Sequence, residues 1–248
     1  EYTVRLVFKE PNINQLYKMT DFGSPMFAPE CFDANGDFKD IAIGTGPYKI
    51  TENVMNKYVV LRRNDNYWGE KGKIKDFVVR NIPNTDTRYA ALKSGEIDGV
   101  LDLNAIPPFL ADEIKQDKRF AVASNKSTMI RYLALNNSRF PFNDVRMRQA
   151  VSLAIDRKNL VDALYMGYAE PTMNVLNYTS PGYKEFPLEY NLAKAKQLAH
   201  EVLGDKRCDV TYCINGAEPL QKGEAELIAY WLGKIGLDVH IQSLEYAT

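Results

Sequence analysis

The stretch Asp209-Val-Thr-Tyr-Cys-Ile214, with residues 220–235 and Leu237-Asp-Val-His-Ile-Gln242 after it, decides the fold class. Residues 209–214 form a run of strand length. From 220 to 235, Ile228, Trp231, Leu232 and Ile235 recur at helical spacing and make one apolar face. Gly236 then stops the helix, because glycine accepts positive φ at least cost. Leu237, Val239 and Ile241 alternate with Asp238, His240 and Gln242, the two-residue period of a half-buried strand. Strand, helix, strand makes the class α/β.

Working outward, Asn191 opens a helix with Leu192, Ala195, Leu198, Ala199 and Val202 on one face and Gly204 at its end. Asp156 and Asp144 cap helices that run to Tyr165 and Ile155. Residues 167–189 hold Pro171, Pro181, Gly182 and Pro187 and read as an extended surface loop. Before Asp144 the texture is strands and turns. Phe77-Val-Val79, a helix capped by Thr85 or Asp86 and stopped at Gly95, and Ile97-Asp-Gly-Val-Leu101 predict a βαβ unit with parallel pairing. A helix is expected over 108–115, and strands at Phe120 to Ala123 and Met129 to Leu135. Asn136-Asn-Ser138 and the Phe140-Pro-Phe142 elbow then break the pattern. The domain boundary is placed there, dividing the chain into 1–135 and 136–248.

Of the 248 residues, 45% are hydrophobic and 25% charged, a globular composition able to bury its core without a metal or disulfide. With 31 basic and 32 acidic residues the net charge is -1, which argues against a nucleic-acid partner. No apolar run reaches the roughly 18 residues of a membrane span. The first residues lack the basic start and apolar block of a signal peptide. Tyr2, Val4, Leu6 and Phe8 instead alternate with Thr3, Arg5, Val7 and Lys9 as a half-buried strand, so residues upstream are expected. Cys31, Cys208 and Cys213 read as free, mostly buried thiols, with a bridge from Cys31 to either of the others left open.

Catalytic and metal chemistry needs clusters, and the sequence offers none. His200 falls near the end of an amphipathic helix and His240 on the polar face of a strand, neither with a ligand at metal spacing. Gly44-Thr-Gly46 is followed by Pro47 and a strand, so it is a turn rather than a phosphate loop. No Gly-x-Ser-x-Gly elbow is present. The reading is no enzyme, no cofactor and no metal ligands.

Several blocks carry a resemblance. These are Gly44-Thr-Gly-Pro-Tyr-Lys-Ile50, Asn64-Asp-Asn-Tyr-Trp-Gly-Glu-Lys71 and Arg88-Tyr-Ala-Ala-Leu-Lys-Ser-Gly-Glu-Ile-Asp98. Phe142-Asn-Asp-Val-Arg-Met-Arg-Gln-Ala-Val-Ser-Leu-Ala-Ile-Asp-Arg157 and Trp231-Leu-Gly-Lys-Ile-Gly236 continue them. In order and spacing the set resembles the family 5 bacterial solute-binding proteins, which include dipeptide, oligopeptide and nickel receptors. The resemblance implies a two-lobed periplasmic-binding-protein-like fold, incomplete here at both ends. It makes 1–135 the remaining part of lobe I, with a mixed sheet ending in a hinge strand, and 136–248 the first part of lobe II.

The resemblance also implies a role: binding peptide or a similar small polar solute for the membrane permease of an ABC transporter. Such a receptor would be a monomer in the periplasm or outside the cell, either free or held by a lipid anchor. In dipeptide-binding members an arginine ahead of the last helix grips the ligand carboxylate. Here Gly216-Ala-Glu218-Pro219 lacks it, and Tyr246 stands where those members have a cleft tryptophan. In nickel-binding members an arginine contacts the metal's chelator, and Ser24-Pro25-Met26-Phe27 lacks that one too. Gln221-Lys222 and Tyr67 to Lys71 nevertheless look closer to the nickel members. Peptide is favoured over a metal chelate, and Pro25, Met26, Glu218 and Tyr246 are the candidate contacts. The other classes kept open are a hydrolase on a similar scaffold and a sensor or structural module that borrowed the fold.

Overall fold

A computed structural model describes residues 3, 5–20, 23–39, 42–101, 106–216 and 218–244. Its contacts gather into two compact units, residues 1–91 and 92–248, each taken here by itself.

Unit 1 holds a short helix, α1 (Gln15–Lys18), a 3₁₀ turn at Pro29–Cys31, and an antiparallel sheet in the order β1-β2-β3. The strands are β1 (Tyr48–Val54), β2 (Tyr58–Arg63) and β3 (Asp76–Arg80). The Gly44 to Pro47 turn delivers the chain into β1 as expected. Pro47 supplies a carbonyl to Asn64 N–H at 2.7 Å, and the Tyr48 hydroxyl donates to the Ile74 carbonyl at 2.8 Å. Asn56 makes the β1–β2 turn at φ 59, a left-handed conformation asparagine tolerates better than most residues. After β3, α2 (Thr85–Ser94) begins and is ended by Gly95 at φ +79. Its cap is Asn84, whose Oδ1 accepts from Thr87 N–H at 2.9 Å, rather than Thr85 or Asp86.

The predicted βαβ unit over 77–101 does not form. β3 pairs antiparallel with β2, and residues 97–101 join no ladder among the described residues, with Leu101 95% exposed. The same holds for Phe120 to Ala123 and Met129 to Leu135, which carry no strand pairing among the described residues. A strand exists only where a neighbour takes its N–H and C=O groups, and a run of apolar residues does not specify that neighbour. Of the amino-terminal strand, Tyr2 and Val4 lie outside the described residues, and 5–8 carry no strand pairing among the described residues.

Unit 2 contains α3 (Pro108–Gln116), α4 (Val145–Ala154), α5 (Arg157–Tyr165), α6 (Leu192–Leu203), β4 (Cys208–Asn215), α7 (Pro219–Gly233) and β5 (Leu237–Leu244). Each boundary from α4 to α6 follows from local chemistry. Asp144 accepts from Arg146 N–H, Asp156 from Asn159 N–H and Asn191 from Lys194 N–H, satisfying amides that lack a partner in the first turn. Gly236, at φ +89, turns the chain into β5. There β5 pairs parallel with β4, Val210 opposite Val239 and Tyr212 opposite Ile241.

The core lies between these helices and the two strands. Ala150, Ala154, Ala195 and Ala199 are all at most 1% exposed, so α4 and α6 meet through small side chains. Met147, Val151, Ile228, Trp231, Leu232, Ile235 and Leu237 fill the rest, and Leu133 and Leu135 pack against them. All three cysteines are free. Cys31 is buried, with Sγ accepting Ile43 N–H at 3.1 Å, whereas Cys208 is half-buried and Cys213 exposed. The expectation of mostly buried thiols therefore fails for Cys213, which falls on the solvent face of β4.

Asp144 gives this unit a pH signature. Its carboxylate takes the Arg146 guanidinium at 2.8 Å and the Arg146 amide at 2.8 Å, which together hold its pKa down at about 2 against an ordinary 3.8. A lowered folded-state pKa stabilises the fold above the unfolded value, and that contribution is lost as pH falls through the folded one. Between pH 4 and 2 the wild type is therefore expected to lose thermal midpoint faster than Asp144→Asn, which keeps a capping oxygen without the titration. Equal slopes in a circular-dichroism melting series would refute this.

Candidate ligand-binding site

β4 ends at Asn215 and α7 begins at Pro219, so the intervening loop sits at the carboxyl end of a parallel strand pair. Open α/β sheets place their ligands outside such ends. The loop is tied to the helix it leads into: Asn215 N–H donates to Gln221 Oε1 at 2.7 Å, and Glu218 N–H to the Asn215 carbonyl at 3.2 Å.

A charged cluster forms here. Glu224 lies on the buried stripe of α7, one turn before Ile228 and two before Trp231, and is only 9% exposed. Three groups meet it or its neighbour. The Tyr165 hydroxyl, from the end of α5, donates to Glu224 Oε1. Arg131 Nη1 donates to Glu224 Oε2 at 3.1 Å, while Arg131 Nη2 donates to Glu218 Oε2. Tyr212, on the core face of β4, is half-buried beside them. α5 and α7 pack closely at Gly223, where an added Cβ would lie 3.3 Å from Leu164 Cδ2 and would require that side chain to give by a few tenths of an ångström.

The electrostatics are specific. Burial works against the charge of Arg131, but Glu224 foremost, with Tyr165 and Glu218, outweighs it and raises the guanidinium above its ordinary value. Burial, then the bond to Glu224, keeps the Tyr165 phenol protonated far above neutrality. Burial and Glu224 do the same to Tyr212. The cluster thus presents a cationic guanidinium between two glutamates, one buried and one at the rim. Such a group can take a carboxylate on the arginine and an ammonium on the outer glutamate.

Of the residues singled out from sequence, Glu218 belongs to this cluster. Pro25 and Met26 lie in unit 1, both exposed, Met26 beside the Gly44 backbone. Tyr246 lies outside the described residues. Arg131, Glu224, Tyr165 and Tyr212 were not foreseen. Only Glu224 carried a local signal, as an acid at helical spacing on an otherwise apolar stripe. His200 Nδ1 lies 3.0 Å from the Gly204 carbonyl, and His240 Nε2 lies 2.6 Å from Asp209 Oδ1 on the exposed face of the sheet. Among the described residues, no group of three or more His, Cys, Asp or Glu is placed to hold a metal ion, and no helix is long and apolar enough to cross a membrane.

The family model described as bacterial extracellular solute-binding proteins, family 5 Middle, matches residues 1–248. The chain belongs to this family. It is 30% identical over 223 residues to the nickel-binding periplasmic protein of Escherichia coli (strain K12), covering 80% of this chain and 41% of the relative. To the probable D,D-dipeptide-binding periplasmic protein DdpA of the same strain it is 26% identical over 255 residues, covering 100% and 49%. Crystalline NikA from Brucella suis in complex with Fe(III)-EDTA aligns with a TM-score of 0.78 and 27% identity, over 89% of this chain and 48% of that one. The family 5 chain thus spans less than half the length of each. The α/β, periplasmic-binding-protein class read from the sequence is established by these matches, and the relatives are binding proteins rather than enzymes.

Proposed function

We propose that this family 5 chain is the ligand-binding part of an extracytoplasmic receptor that captures a small polar solute, foremost a peptide, for the membrane permease of an ABC importer. The observation that carries the reading is the pairing of Arg131 with Glu218 and Glu224 at the carboxyl end of β4. A short peptide bears one carboxylate and one ammonium, and the cluster offers a partner to each. The chain works without catalysis, as a monomer, in the periplasm or outside the cell, free or lipid-anchored, and with no nucleic-acid partner. Residues 1–135 contribute to lobe I and 136–248 begin lobe II, with 129–137 as the first crossing between them. Pro25, Met26 and Tyr246 are further ligand contacts.

A second reading, a receptor for a nickel or other metal chelate, is favoured by the similarity to the E. coli nickel-binding protein. Isothermal titration of the full-length receptor with mixed dipeptides and with nickel–histidine separates the two. Saturable dipeptide binding, with the peptide recovered intact, is the expected result. Binding of nickel–histidine alone would transfer the assignment to the second reading, and cleaved peptide in the cell would overturn the receptor role.

A further inference from the structure

We infer that Arg131 is the residue that receives a ligand carboxylate, and that Glu218 is the resident counter-ion which this carboxylate displaces. The inference rests on the receptor reading and narrows it to solutes that present a free carboxylate.

The two glutamates are held asymmetrically. Glu224 is built in: its side chain is 11% exposed, it stands on the core stripe of α7, and both Tyr165 and Arg131 donate to it. Removing it from Arg131 would strand a buried charge, which is costly. Glu218 is built differently. It precedes the first turn of α7 in the loop after β4, and its side chain is 37% exposed. An ion pair at that exposure is worth little, because water solvates the released carboxylate nearly as well.

Arg131 is thereby oriented by one partner and held loosely by the other. Its guanidinium is a rigid planar fork, so fixing Nη1 on Glu224 also fixes where Nη2 points. An incoming carboxylate can replace Glu218 on Nη2, oxygen for oxygen, without moving the arginine. The exchange conserves the charge pairing at the guanidinium and frees one carboxylate at the rim. That freed Glu218 is then available to an ammonium on the same solute. A ligand whose carboxylate has been converted to an amide has no charge with which to compete against Glu218.

The test compares each ligand with its partner lacking only the carboxylate, on the full-length receptor. One pair is a mixed dipeptide pool against the same pool as C-terminal amides; the other is nickel–histidine against nickel–histamine. In at least one pair the acid form should bind about tenfold or more tightly, as expected when a charge-assisted hydrogen bond is lost. Arg131→Gln should abolish that preference, and Glu218→Gln should strengthen acid binding severalfold by removing the competitor. Because Arg131→Gln strands Glu224, the double variant R131Q/E224Q is measured beside it, and loss of preference in that variant counts equally. A preference in the nickel pair with no dipeptide bound supports this inference while overturning the peptide reading. Dipeptide acids and amides bound equally, with no acid preference in the nickel pair, overturn this inference and leave the peptide reading standing. Absence of any acid preference in both pairs, including absence of binding, also overturns it.

Discussion

Trp231→Ala is expected to destabilise the second unit by about 3–5 kcal/mol, the range for truncating a large aromatic in a packed core. Trp231 is 5% exposed and stands among Ile228, Leu232, Ile235 and Leu237, where α7 faces α4 and the β4–β5 pair. Alanine would remove the ring and leave a cavity that surrounding helices held by Ala150, Ala154, Ala195 and Ala199 have little freedom to fill. Urea unfolding followed by far-ultraviolet circular dichroism measures the loss. Tryptophan fluorescence is unsuited, because the remaining Trp68 is 84% exposed. A cost below about 1 kcal/mol would mean that the stripe through Trp231 is not core.

The second large effect belongs to Arg131. Arg131→Ala leaves Glu224 nine-tenths buried and facing Tyr165 without its counter-charge. Removing one partner of a fully buried pair costs about 3–5 kcal/mol. The Arg131 side chain is one-third exposed, so solvent screens part of this and about 2 kcal/mol is expected. The decisive quantity is the coupling. Arg131→Ala combined with Glu224→Ala should cost clearly less than the two single changes added together, because the double variant strands no charge. Additive costs in a double-mutant cycle would show that the pair does not act as a unit.

The features legible in the sequence were those written within a few residues. Asp144, Asp156 and Asn191 announce helix starts because a short polar side chain satisfies amides two or three positions ahead. Gly95, Gly204 and Gly236 announce stops because they take positive φ. The stripe from Ile228 to Ile235 and the alternation after Leu237 placed α7 and β5. Pairing was not local in this sense. Phe77 to Val79 is a strand as read, but its partner is β2 on the near side and not residues 97–101, and nothing in either segment encodes that choice. Met129 to Leu135 has the composition of a strand yet takes no ladder partner among the described residues.

The site divides in the same way. Glu218 was singled out because the resemblance placed an arginine of other members in its stretch, and the cation in fact arrives from Arg131. Tyr165 reaches Glu224 across 59 residues of chain, a proximity no single-sequence pattern exposes.

The clamp on Arg131 joins positions 87 and 93 residues apart in the chain. Contacts of such long range must offset the entropy of closing the chain between them before they contribute. Here the intervening segment includes α4, α5, α6 and β4, the framework of the second unit. The Arg131 cluster is therefore expected to be complete only once that framework is ordered, so that its ion pairs belong to the finished unit and not to a partly folded one.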